Sequence, residues 1–101
     1  MKVRWMPTAS ARFLEYVALL VGEAGAASAE RWIAGIRAKT ALLENNPLVG
    51  RQVPEVRRGE IRELIHRNHR IIYRVDQKAG ICAIVALRHV RQKTTRRNFD
   101  R

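Results

Sequence analysis

Two strand-like segments separated by two residues constrain the fold of this chain more than any other feature of its sequence. Ile61–His66 and His69–Val75 are rich in Ile, Leu, Tyr and Val, and only Arg67-Asn68 lies between them. Asparagine tolerates the left-handed backbone that a tight turn needs, so this spacing predicts a β-hairpin. Part of the fold must therefore be an antiparallel sheet.

The hairpin carries an unusual number of arginines. Arg62, Arg67, Arg70 and Arg74 lie within or beside its two strands. Arginine has little strand propensity and is costly to bury without a partner, so we expect these side chains to project from one exposed or grooved face. Such a face would suit an anionic partner. Pairing of Arg74 with Glu63 across the strands is the structural alternative.

Two helices are predicted before the hairpin from the spacing of apolar residues. The first runs from Ala9 to about Val21 with Thr8 as its cap, and Gly22 and Gly25 bracket a short break. The second runs from about Ala26 to Glu44. Because the break is so short, the helices should form an antiparallel hairpin. The apolar stripe of the second helix is Ala29, Trp32, Ile33, Ile36, Thr40 and Leu43.

The remaining segments complete an α+β fold with the order β-α-α-β-β-β. Lys2–Trp5 alternates as a short first strand, Leu48–Glu60 reads as a loop, and Ile81–Leu87 is apolar throughout, as expected of a central strand covered on both faces. We expect the helical hairpin to pack on a small, mainly antiparallel sheet. The predicted core is Trp5, Phe13, Val17, Ile33, Ile36, Ile71, Ile84 and Val85.

Charge is distributed unevenly along the 101 residues. We expect these residues to form one domain with a basic tail from about residue 88 to 101. The chain has 20 Lys and Arg against 9 Asp and Glu, a formal charge of +11. Residues 1–50 carry a net charge of +2 and residues 51–101 a net charge of +9. The partner surface should therefore lie in the C-terminal half. Such a patch favours nucleic acid, a ribonucleoprotein or an acidic protein as partner.

Cellular location can also be predicted from the sequence. Cys82 is the only cysteine, lies in an apolar strand and should pack as a small hydrophobe, which fits a reducing cytoplasm. The first residues lack the apolar core of a signal peptide, and no apolar run approaches the ~20 residues needed to span a membrane. We therefore expect a cytoplasmic protein without a membrane partner.

Few residues could carry catalytic chemistry. The chain has no P-loop, no dinucleotide fingerprint and no zinc spacing, and no carboxylate completes a metal site with His66 and His69, which we interpret as solvated turn residues. No cofactor or metal is expected. Metal-free phosphodiester chemistry would need a charge clamp and proton-transfer groups. Arg62, Arg70, Arg74, Arg88 and Arg91 could clamp a phosphate, and His66, His69, His89 and Tyr73 could move protons; Tyr73 as a core residue is the structural alternative.

Four motifs follow one another along the chain: Asn46–Arg51 (NPLVGR), Ile61–Leu64 (IREL), Arg70–Val75 (RIIYRV) and Ile84–Arg91, which includes Arg88-His89. Together and in this order they resemble the RelE/ParE toxin superfamily of bacterial type II toxin–antitoxin systems over essentially the whole chain. The resemblance implies the same β-α-α-β-β-β fold. It also implies a toxin held inactive by a cognate antitoxin in a hetero-oligomer.

One branch of the superfamily, the RelE-like toxins, implies an enzyme. Its members cut messenger RNA in the ribosomal A site without metal, using basic residues of the second, third and fourth strands and a C-terminal tyrosine. In this sequence Arg70 matches the third-strand arginine, Arg91 the basic residue after the fourth strand, and Arg62 lies where a lysine pair would be. His89 matches the histidine of a related nuclease branch. On this alternative, the partners are the ribosome and mRNA.

The other branch, the ParE-like toxins, poisons DNA gyrase. The loop Gly50–Glu55 and the Ile61–Leu64 motif resemble this branch more closely. Phe99 stands nearest to the place of the C-terminal tyrosine, and Val90 follows His89 where the related nucleases have a tyrosine. We therefore expect a ParE-like toxin that binds DNA gyrase; a basic binding module without toxicity is the third alternative. The expected partner-binding residues are Arg62, Arg70, Arg74, Arg88, Arg91, Lys93, Arg96 and Arg97.

Overall fold

The computed structural model describes residues 1–92, in which two helices pack on a five-stranded sheet. The strands are β1 (Lys2–Trp5), β2 (Arg51–Gln52), β3 (Ile61–His66), β4 (His69–Asp76) and β5 (Ile81–His89), and the helices are α1 (Pro7–Ala24) and α2 (Ala26–Ala41), with a 3-10 turn at Leu42–Glu44. The sheet order is β1-β5-β4-β3-β2, with β1 parallel to β5 and the other pairs antiparallel. The α+β prediction is confirmed, with β2 as an addition inside the predicted loop. No helix in these 92 residues is long and apolar enough to cross a membrane.

The helical hairpin differs from its prediction at both ends of α1. Pro7 occupies the first turn, where its fixed φ suits a helix, so Met6 is the cap residue and the prediction of Thr8 as the cap is wrong. The helix also continues through Gly22. Gly25 alone makes the break, with a φ of 91° that glycine tolerates, and its N–H donates to the carbonyl of Val21. One residue between the helices turns α2 back along α1.

The β3–β4 hairpin has the predicted position and a different turn. Leu64 lies opposite Ile71, and His66 lies opposite His69. The left-handed residue is Arg67, with a φ of 53°, instead of Asn68. A positive φ at the first turn residue matches the twist of the two strands, and this requirement outweighs the preference of asparagine for that conformation.

The core between helices and sheet agrees with the sequence pattern, with one exception. Ile36, Ile71 and Ile84 are fully buried, and the partly buried Trp5, Phe13, Val17 and Ile33 pack against the same cluster. Val85 does not belong to it. A β-bulge places Tyr73 opposite Ile84 and Ile72 opposite Ala86, which leaves Val85 as the extra residue. Val85 directly follows Ile84, so strand alternation places it in a second cluster on the other face of the sheet, with Val53, Val56, Ile61 and Ile72. The bulge keeps Ala86 on that same face and returns Leu87 to the helix-facing cluster.

Candidate functional site

The arginines of the hairpin divide between the two faces of the sheet. Arg62 follows the phase of Leu64, which packs beneath the helices, whereas Arg70 and Arg74 follow the phase of Ile72 in the second cluster. The prediction that these arginines project from one exposed face is therefore wrong. Strand alternation separates Arg62 from Arg70, because they lie on paired strands at positions that point to opposite sides.

Arg70 is buried in a network of carboxylates. Its side chain is only 7% exposed. Its Nε donates to Oε1 of Glu63 at 2.6 Å, and its two terminal nitrogens donate to the two carboxylate oxygens of Glu55 at 2.8 and 2.9 Å. The hydrogen bonds that Arg70 donates to Glu55 raise the pKa of Arg70. A bidentate pair and a second carboxylate therefore occupy most of the guanidinium edge.

Glu63 links this network to the loop before β3. Its side chain is fully buried on β3, and its second oxygen accepts a hydrogen bond from Nε of Arg51 at 2.6 Å. Sequence reasoning missed this role and considered Arg74 as the partner of Glu63. Register places Arg74 opposite Ile61, on the same face of the sheet as Glu63 and diagonal to it. Glu63 alternates with the apolar Ile61 on the same face of its strand. A carboxylate at such a position could have indicated that an arginine is buried beside it.

Arg62 and Tyr73 hold the loop on the helix-facing side. Arg62 donates to the carbonyl of Gly50 at 2.9 Å and to that of Gly59 at 3.0 Å. The fully buried Tyr73 hydroxyl donates to the carbonyl of Pro47 at 2.7 Å and accepts from the N–H of Gly50 at 2.9 Å. Burial raises the pKa of Tyr73. Tyr73 therefore acts as a core residue that anchors the loop, and proton transfer at neutral pH does not suit it.

The histidines of the hairpin tip pack under the helices, so their interpretation as solvated turn residues is wrong. The His69 ring lies 4.5 Å from the Tyr16 ring, 5.2 Å from the Trp32 ring and 5.6 Å from the His89 ring, between centroids. Burial lowers the pKa of His69, and the neighbouring His89 adds to the effect. Burial also lowers the pKa of His66. The His69 imidazole is therefore part of an aromatic cluster, and the His66 ring lies beside Gly35 of α2.

The end of β5 carries the remaining candidates. Arg88 and His89 belong to the strand, which extends two residues beyond its predicted end. Arg91 is exposed in the turn that follows, and its N–H donates to Nδ1 of His89 at 3.2 Å. The predicted binding residues Lys93, Arg96 and Arg97 lie outside the described residues.

Comparison with known proteins adds a family and a structural neighbour. A model of the family described as "ParE toxin of type II toxin-antitoxin system, parDE" matches residues 3–94. A solved structure described as "Chromosomal ParDE TA system from P. aeruginosa" superposes with a TM-score of 0.73, covering 89% of this chain and 96% of that chain at 20% identity. At this identity the likeness shows the fold alone. No curated protein matches the sequence significantly.

Proposed function

We propose that this chain, which belongs to the ParE toxin family of type II toxin–antitoxin systems, inhibits DNA gyrase by binding to it and is neutralised by a cognate antitoxin. The alternative within the superfamily is cleavage of ribosome-bound mRNA. The observation that favours gyrase binding over cleavage is that the guanidinium of Arg70 is bound by two carboxylates.

A nuclease of the RelE type would need Arg70 at the reacting phosphate. In this protein its guanidinium is already bound by Glu55 and Glu63. Removing it would leave the Glu63 carboxylate buried without one of its two arginine partners, and breaking a buried ion pair costs about 3–5 kcal/mol. A phosphate clamp gains transition-state stabilisation only when its donors are free and already oriented. Arg70 supports loop structure instead.

Arg62 and Tyr73 lie on the other face of the sheet from Arg70, whereas Arg74 shares the face of Arg70 and Arg88 lies opposite Arg70 on β5. Arg62 points to the opposite face of the sheet and binds loop carbonyls. Tyr73 is buried beneath the loop. Inhibition by recognition needs no converging acid, base and clamp. It needs an accessible basic surface, which exposed arginines such as Arg67 and Arg91 supply.

Purified protein tests the proposal directly. We expect it to inhibit supercoiling by gyrase and to leave mRNA on programmed ribosomes intact. Arg91→Ala should weaken gyrase inhibition, and Arg12→Ala, which removes an exposed arginine from α1, is the matched control. Site-specific cleavage in the A site that disappears in Arg70→Ala protein, shown by circular dichroism to be folded, would overturn the proposal and favour the nuclease.

A further inference from the structure

Two exposed aliphatic side chains lie at one end of the sheet, on the face that the helices leave uncovered. Ile65 of β3 leaves 38% of its surface exposed, and Val90, in the turn after β5, leaves 41%. The N–H of Val90 donates to the carbonyl of Asn68 at 2.8 Å, which extends the pairing of β5 with β4 by one residue. Strand alternation therefore places Val90 on the face of Arg88 and Ile65 on the face of Glu63, which is the same helix-free face.

The loop before β2 adds two exposed aliphatic residues, Leu48 and Val49, to this end of the sheet. They directly precede Gly50, whose backbone closely approaches the carbonyl of Glu63. Because β2 runs antiparallel to β3, the chain before Gly50 leads toward Ile65. We call Leu48, Val49, Ile65 and Val90 the tip patch. A group of exposed apolar side chains with a polar rim is typical of a protein interaction site.

Three arginines border the tip patch. Arg67 lies in the β3–β4 turn, Arg88 on β5 and Arg91 in the turn that follows β5. None of the three forms a salt bridge within residues 1–92, and Nε of Arg88 is buried there without a hydrogen-bond partner. The nearby carboxylates of Glu55 and Glu63 are held in the network described above. A partner at this surface should therefore supply negative charge as well as apolar side chains.

We infer that the tip patch is the surface that docks on gyrase, and that it receives a gyrase segment whose apolar side chains are flanked by carboxylates. This inference rests on the proposed function, from which it takes the partner. Apolar anchors surrounded by arginines suit the centre and rim of a protein interface. The aliphatic side chains also favour a protein over the backbone of duplex DNA, since phosphates are bound by cationic and polar groups.

A double variant, Ile65→Thr with Val90→Thr, tests the apolar part of the inference. Both substitutions keep a β-branched side chain, so the strands should persist, and each puts a hydroxyl where an apolar group would be buried. We expect at least about 30-fold weaker binding to purified gyrase holoenzyme in surface-plasmon measurements. Leu14→Thr with Val21→Thr makes the same kind of change on two exposed residues of α1 and should leave the affinity for gyrase unchanged.

Neutralising Arg88 tests the electrostatic part. Arg88→Gln keeps a polar side chain but removes the charge, and we expect it to weaken binding to gyrase at least about fivefold. Arg4→Gln is the matched control, because Arg4 is an exposed arginine of β1 opposite Ala83, at the other end of β5. Circular dichroism and urea unfolding verify that each variant is folded.

The outcomes separate the inference from the function on which it rests. Unchanged affinity for gyrase in the folded double variant, with gyrase inhibition by the wild type, would overturn the inference alone, because gyrase would then be bound through another surface. A labelled DNA duplex that binds the wild type without gyrase, and binds the double variant at least tenfold more weakly, would also overturn it, because DNA would then be the occupant. A wild-type protein that neither binds nor inhibits gyrase would overturn both the inference and the proposed function.

Discussion

Arg70 has its buried position because two carboxylates from different parts of the chain converge on it. Glu63 lies on the neighbouring strand, and Glu55 reaches it from the loop that follows β2. The arginine thereby joins the loop to the face of the sheet that the helices leave uncovered. A buried charge held in this way is costly to uncover, because its partners remain in a low-dielectric environment.

Substituting Arg70 and Glu63 singly and together measures how much each contributes to stability through the other. Arg70→Met should lower the free energy of unfolding by about 3–5 kcal/mol, since the Glu63 carboxylate stays buried. Adding Glu63→Leu should recover part of that loss, because an apolar pair replaces an unmatched charge. Urea unfolding of the two single variants and the double variant measures the coupling. Strictly additive effects of the two substitutions would contradict the pairing.

The face of the sheet on which a residue lies could be predicted more readily than the residue that it contacts. Alternation along β4 identifies Arg70 and Ile72 as residues of one face, and the sequence shows it directly. The identity of the group that meets Arg70 depends on Glu55, fifteen residues away on an irregular loop. No periodicity governs such a loop, so the sequence alone led us to an exposed arginine where the structure has a buried one.

The loop from Pro47 to Glu60 packs closely against strands β3 and β4. Gly50 approaches β3 and β4 so tightly that a Cβ built on it would lie 2.7 Å from the Tyr73 hydroxyl. Only glycine therefore allows the loop backbone to reach this hydroxyl. The same approach positions Arg51, whose strand pairing with Glu63 forms β2.

Tyr73→Phe should detach this loop without disturbing the rest of the core. The substitution leaves the Pro47 carbonyl and the Gly50 N–H without their partner, and we expect a loss of about 1–3 kcal/mol in the free energy of unfolding. Hydrogen exchange at the amides of Gly50 to Gln52 should accelerate more than exchange in β4. Tyr16→Phe is the matched control, because its hydroxyl makes only a 3.3 Å hydrogen bond near the surface. Equal stability losses in the two variants would contradict the anchoring role.

Long, regular elements were predictable, and short or irregular ones were not. The apolar stripe of α2 predicts its buried face from Ala29 to Leu43 because 3.6-residue periodicity repeats over several turns. β2 spans only two residues, too few to show alternation. The bulge at Val85 leaves Ala86 on the same face as Val85, and this change of phase depends on the pairing with β4 and not on the local sequence.

At the scale of the whole molecule, charge is concentrated after the helical hairpin. Residues 51–101 carry a net charge of +9, against +2 for residues 1–50. Glu55, Glu60 and Glu63, three of the acidic residues of the second half, each pair with an arginine of that half. The excess of arginines remains, and those at exposed positions form a surface that suits a negatively charged partner.

Association with the antitoxin should therefore be steered by long-range attraction. The Debye length shortens from about 30 Å at 0.01 M salt to about 8 Å at 0.15 M, so we expect the association rate constant to fall by about tenfold or more over this range. The dissociation rate constant should change little, because contacts in the docked complex are screened less. Stopped-flow or surface-plasmon measurements at several salt concentrations give both constants.

The double variant Arg67→Asn with Arg91→Gln should make the association rate constant less dependent on salt. The control double variant, Arg4→Gln with Arg12→Gln, removes two positive charges from the first half of the chain. An association rate that does not respond to salt, or that responds equally in both double variants, would show that the uneven charge has no part in finding the partner.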